Sequence, residues 1–171
     1  MYSVVRGVVC TDFGSSQTVG REECAMANVL DVAAYILEKR GPMTAMKLQK
    51  LCYYSQAWHL VWDEQPLFRD RIEAWANGPV VPELYRQHRG EFHVSRMPGG
   101  HSDNLTESEK ESIEVVLESY AELTAHQLSE LTHSEDPWRD ARNGISDGER
   151  SNKEIAHASI AEFYDAQTTA L

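Results

Sequence analysis

The chain has little cysteine, no long apolar run and no surplus of positive charge, and each shortage removes a class of protein. Three cysteines in 171 residues, Cys10, Cys24 and Cys52, form neither a pairable disulfide framework nor a CxxC metal motif. A stapled secreted scaffold is thereby excluded, and a reducing compartment, the cytoplasm, is the expected setting. Cys52 sits in an apolar helical pattern and is expected to be a buried thiol. No apolar stretch approaches the roughly 18 residues of a membrane helix, so no membrane partner is expected. The opening MYSVVRGVVCTDFGSS lacks the continuous apolar core of a signal peptide. Residues 1–25 are expected to be a flexible extension or sequence upstream of the true start, since the first good helix begins only after Met26-Ala27-Asn28.

Catalytic signatures are also missing. The sequence has no HExxH, no G-x-S-x-G elbow, no phosphate loop and no dinucleotide fingerprint. Gly99-Gly100 lacks the flanking strand and helix that a phosphate cradle needs. Seven histidines are present, but His88 and His93 fall on different helix faces and no i, i+4 pair has a third ligand. Surface or capping roles are expected for them, with His59 either a hydrogen-bonded core residue or a pocket residue. The residues therefore ask for no metal, no cofactor and no enzyme active site.

Charge is plentiful but one-sided. The net charge is −11, with 11 acidic and 11 basic residues in 1–100 and 16 against 5 in 101–171. Such a field repels phosphate backbones, so nucleic-acid binding through the second half is not expected. The one basic cluster, Arg86, His88, Arg89, His93 and Arg96, has no helix-turn-helix pattern around it.

What is present is a succession of amphipathic helices. Asn28 is a good N-cap, Val29, Val32, Ala33, Ile36 and Leu37 make one stripe, and Gly41-Pro42 ends it. Thr44 caps a second helix bearing Leu48, Leu51, Cys52, Ser55, Trp58 and Trp62, apolar over more than half its circumference. Period-two alternation from Phe68 to Ala76 predicts a short extended element, and Asn77-Gly78-Pro79 a turn. Pro82 opens a short helix; residues 90–104 read as a loop. Capping boxes at Thr106-x-x-Glu109, Thr124-x-x-Gln127 and Ser151-x-x-Glu154, and Asp136-Pro137, start four more helices. The last is expected to bury Ile155, Ser159, Ile160 and Phe163. The fold class is mainly α, a single-domain bundle of six or seven helices with one short extended element near residues 68–76. Its expected boundaries are 26–166, with residues 167–171 a short tail.

Aromatic residues make up only 9% of the chain, yet Tyr53, Tyr54, Trp58, Trp62, Phe68 and Trp75 fall within one short span. Trp58 and Trp62 suit a core, whereas Tyr53 and Trp75 suit a core or a binding surface equally. This region resembles the Panacea family of antitoxin-associated and phage-associated domains. The likeness rests on Lys47-Leu48-Gln49-Lys50-Leu51 with Tyr53-Tyr54-x-Gln56-x-Trp58-His59, and on Pro66-Leu67-Phe68. It continues in Ile72-Glu73-Ala74-Trp75 with Gly78-Pro79-Val80-Val81-Pro82, and in Leu131-Thr132-His133-x-Glu135-x-Pro137-Trp138. Together with the last helix these motifs extend the likeness over residues 27–165.

The resemblance implies an antitoxin of a type II toxin–antitoxin pair, neutralising a cognate toxin by direct contact. Two alternatives from other classes are an adaptor delivering a partner to a protease and a small-substrate enzyme using His59, Glu73 or His133. The expected partner-binding residues are Tyr53, Gln56, Trp75, Gly78, Pro79, His133 and Trp138. For His133 and Trp138 the alternatives are capping of the Pro137 helix and core packing.

Overall fold

The computed structural model describes residues 26–169, so the expectations for residues 1–25, and with them Cys10 and Cys24, lie outside it, as do residues 170–171. Among the described residues are seven α-helices and two short antiparallel strand pairs, the mainly α fold that the helical periodicity predicts. Helix α1 (Val29–Arg40) starts at a complete capping box: Asn28 accepts from the backbone of Leu30 and Asp31, and the Asp31 carboxylate returns to the Asn28 amide. Asp31 also accepts from the His101 amide (2.8 Å) and Asn104 Nδ2 (3.2 Å), which ties a 3-10 turn at Ser102–Asn104 to this cap.

Strand β1 (Met43–Thr44) leads into α2 (Ala45–Trp62), whose Thr44 hydroxyl caps the Lys47 amide. Every residue of α2 from Leu48 to His59 is buried, so this helix is the axis of the molecule. Around it pack α1, α4 (Glu107–Tyr120), α5 (Ala125–Ser134), α7 (His157–Thr169) and a hairpin of β2 (Glu73–Trp75) and β3 (Gly78–Val80). A helix buried all round carries polar side chains inside, and each must find a partner. Cys52 is one of the buried residues, and burial raises its thiol well above the usual range.

Four local expectations need correction. The hairpin turns through Ala76-Asn77, and Gly78 and Pro79 belong to β3, because Trp75 pairs directly with Gly78. Within the expected loop 90–104, β4 (His93–Val94) pairs with β1, and Phe92 O accepts from the Ala45 amide at 3.0 Å. Two-residue strands leave no periodicity to read. The Ser151 capping box does not form. Residues 153–155 instead lie extended along β2, with Ala74 N donating to Lys153 O (2.8 Å) and Ile155 N to Ile72 O (2.9 Å). An unpaired strand edge demands such partners, so α7 begins only at His157, with Ile160 and Tyr164 buried while Ser159 is exposed. Finally, α6 (Asp136–Ala141) has Glu135, not Asp136, at its N-cap, and without a side-chain cap bond. Glu135 is occupied elsewhere: its carboxylate accepts from Tyr54 Oη (3.2 Å) and Tyr164 Oη (2.6 Å), and burial pushes it up to about 7.

Candidate functional site

Two glutamines seven residues apart on α2 do the same work at the two ends of one stripe. Gln49 Oε1 accepts from Val81 N (2.9 Å), while its Nε2 donates to Val81 O (3.3 Å) and to His88 Nε2 (3.0 Å). Gln56 Oε1 accepts from Leu67 N (2.7 Å) and Phe68 N (3.2 Å), while its Nε2 donates to Phe68 O (2.7 Å) and His157 Nε2 (3.0 Å). Because each amide oxygen is committed to backbone N–H groups, each NH2 must be the donor to the imidazole. Both histidines are therefore neutral and carry their proton on Nδ1. Burial lowers both below the ordinary histidine value, which keeps them acceptors. The clamps fix the entry to α3 (Pro82–His88) and the chain leading to the hairpin.

Between these fixed parts lies a trough of about 850 Å³, open along one side. Its walls come from the first turns of α2 (Ala45, Met46, Gln49, Lys50), from the hairpin, from the end of α3 and from residues 150–152. Trp75 and Tyr85 meet edge to face, with ring centroids 4.8 Å apart, on the aromatic wall. Trp75 is held in place by its indole N–H donating to Glu73 Oε2 (2.8 Å), and Glu73 is paired with Arg71 (3.1 Å). From behind, the Trp138 indole donates to Trp75 O (2.9 Å) and Arg142 Nη1 to Ala74 O (3.0 Å). The aromatic wall is thus built on a rigid hairpin.

Lys50 also lines the trough, yet it is only 1% exposed, and its ammonium donates to Pro79 O at 3.0 Å. Burial pulls it down to about 7. Gly78 makes room for it: a Cβ there would lie 2.7 Å from Lys50 Cε and 2.8 Å from Thr132 Oγ1, and the residue holds φ +105°. At the mouth stand the exposed Arg89, Glu91, Arg150 and Met46. Phe92, 76% exposed, follows Glu91 in the chain with its ring against His93 and does not line the trough. The arrangement offers aromatic area, apolar anchors and positive charge on a pre-formed shelf, which is the chemistry of binding.

The structure separates the seven sequence-predicted residues. Trp75 lines the trough, half-buried. Gly78 and Pro79 are buried beneath it as the shelf over Lys50, and Trp138 is buried behind the hairpin. Tyr53 and Gln56 are buried too, so neither is a surface side chain. Tyr53 lies edge-on to Tyr54 and Tyr164, and its hydroxyl makes no well-formed hydrogen bond. His133 stacks on Trp138 at 4.1 Å, its buried Nε2 without a hydrogen bond. Sequence reasoning passed over Met46, Tyr85 and Arg150; Trp75 and the basic cluster containing Arg89 were the signals pointing to this face.

The three residues proposed for an enzyme do not converge. His59 is packed inside, its Nδ1 3.0 Å from Ser112 Oγ and 3.4 Å from Asp63 Oδ2. Glu73 serves Arg71 and Trp75, and His133 serves Trp138. Among the described residues no group of three His, Cys, Asp or Glu side chains could hold a metal, and no helix is long and apolar enough to cross a membrane.

Comparison with known proteins adds a family. The sequence model for the family described as antitoxin SocA-like, Panacea domain, matches residues 48–139. A protein named Antitoxin SocA, from Caulobacter vibrioides, is 32% identical over 133 residues, covering 70% of each chain. No solved structure matches.

Proposed function

The chain belongs to the antitoxin SocA-like, Panacea domain family, and on that premise we propose that it is the antitoxin of a type II toxin–antitoxin pair. It acts by binding, covering the cognate toxin through direct protein contact. The observation that carries this reading is the likeness to Antitoxin SocA across 70% of both chains. The trough supports it physically, since the exposed Met46 beside aromatic and guanidinium groups suits a protein interface. Trp75 is the one expected contact residue that remains available on this face.

The experiment is co-expression with the product of the adjacent gene. Growth arrest by that product alone, relieved by this chain with recovery of a stoichiometric complex, is the expected result. An adjacent product that is harmless alone, or toxic and neither relieved nor captured, would overturn the reading.

A further inference from the structure

We propose that the trough receives an acidic segment of the partner, a side-chain carboxylate flanked by an aromatic or long apolar residue. The proposal rests on the antitoxin reading and adds what the partner must present. Charge is the first argument. The chain as a whole holds 27 acidic against 16 basic residues, yet the trough reverses the ratio, with Lys50, Arg89 and Arg150 against Glu73 and Glu91. Glu73 is paired with Arg71, which Glu154 shares at 3.2 Å, and Lys50 is only partly charged at neutral pH, so the positive excess at the mouth rests on Arg89 and Arg150 against Glu91. Arg89 and Arg150 have no carboxylate partner among the described residues, unlike Arg86, which is paired with Glu83. Positive charge in a concavity on an otherwise acidic chain steers an acidic partner towards it.

Lys50 is the second argument. A buried ammonium whose hydrogen bond goes to a neutral carbonyl is an incomplete site. Burying it without a counter-ion costs stability, and an arriving carboxylate would recover part of that cost in the complex. Shape is the third. The trough is open on one side rather than closed, so it fits an extended segment laid along the Trp75–Tyr85 wall, with Met46 meeting a flanking apolar residue.

The test uses the full chain, isotopically labelled, titrated at low salt with the blocked peptide acetyl-Glu-Trp-Glu-amide and its Gln-Trp-Gln counterpart. Magnetic resonance follows the Trp75 indole N–H and the amides of residues 85–91. The acidic peptide should shift these signals selectively, binding about tenfold more tightly than the neutral one. An Arg89→Gln/Arg150→Gln double variant, with an unchanged thermal midpoint because both side chains are exposed, should lose that selectivity. Equal response to both peptides, no response, or selectivity that survives the double variant would overturn the proposal. The antitoxin reading stands or falls separately, on growth rescue by the unaltered chain. Once a complex is in hand, Arg89→Glu/Arg150→Glu should abolish co-purification.

Discussion

Lys50→Met should make this protein more stable at neutral pH and less stable in alkali, and the reversal is the informative part. Burial takes the Lys50 ammonium from its ordinary 10.5 down to about 7. Between these values the unfolded chain binds more protons than the folded one, so this residue makes stability rise with pH. Relative to the unfolded chain, carrying Lys50 costs about 4 kcal/mol at pH 7 and about 1 kcal/mol at pH 10. Methionine fills much of the same space but leaves the buried Pro79 carbonyl without its donor, a loss of about 2 kcal/mol. The variant should therefore gain about 2 kcal/mol at pH 7 and lose about 1 kcal/mol at pH 10. Urea melts of both chains at pH 7, 8.5 and 10 measure the difference, in which all other titrating groups cancel. The carbonyl term shifts both ends equally, so the swing of about 3 kcal/mol depends on Lys50 alone. A difference that stays constant across this range would refute the buried, unpaired ammonium.

Gly78→Ala should cost about 2–4 kcal/mol, since it combines a left-handed φ with contacts to Lys50 and Thr132 too short for any Cβ; urea melts check it. Gln56→Leu should cost about 3–5 kcal/mol, because Leu67 N, Phe68 N, Phe68 O and His157 lose their partner together. Its thermal midpoint should fall well below that of the exposed-site variant Arg89→Gln. His88 and His157 should titrate below the usual 6.5, with their Nε2 atoms unprotonated at neutral pH. Imidazole 15N shifts read this directly, and an Nε2–H tautomer in either ring would contradict the glutamine clamps. Since both rings are neutral in the fold, their contribution to stability falls as pH drops below 6.5.

The legible part of this protein was whatever obeys a local rule. The capping boxes at Thr106 and Thr124 and the stop at Gly41 depend on residues three or four apart, and the sequence displays them. The Ser151 box satisfies the same rule and fails, because Ile72 and Ala74 present a strand edge that draws residues 153–155 into pairing. That competition is non-local and leaves no trace in the spacing. The same holds for the site. Tyr53, suited equally to a core or a surface, and Gln56, a residue of the family motif, were both expected as contacts, which requires solvent access. Here α2 is enclosed on every side, so a residue off the stripe meets another wall of the protein. Met46 is a single apolar residue in polar company, and only the fold brings it beside Tyr85, Arg89 and Arg150.

Apart from Trp75 and Lys50, which belong to both, the residues that make this chain recognisable and those that would choose its partner are therefore different sets. Gln49, Tyr54, Gln56, Gly78, Glu135 and Trp138 lie within the matched span 48–139, and all are buried frame: clamps, shelf and cage. Met46 and Arg150 lie outside that span, and Arg89 stands exposed within it. A frame fixed by buried hydrogen bonds resists change, since removing any one partner strands the other. A rim of exposed side chains tolerates change at little cost in stability. Lys50 is the point where the sets meet, buried like the frame yet lining the trough, and held at a stability cost that a better-packed residue would avoid. Retaining such a residue is understandable where binding, and not folding, is what the ammonium serves.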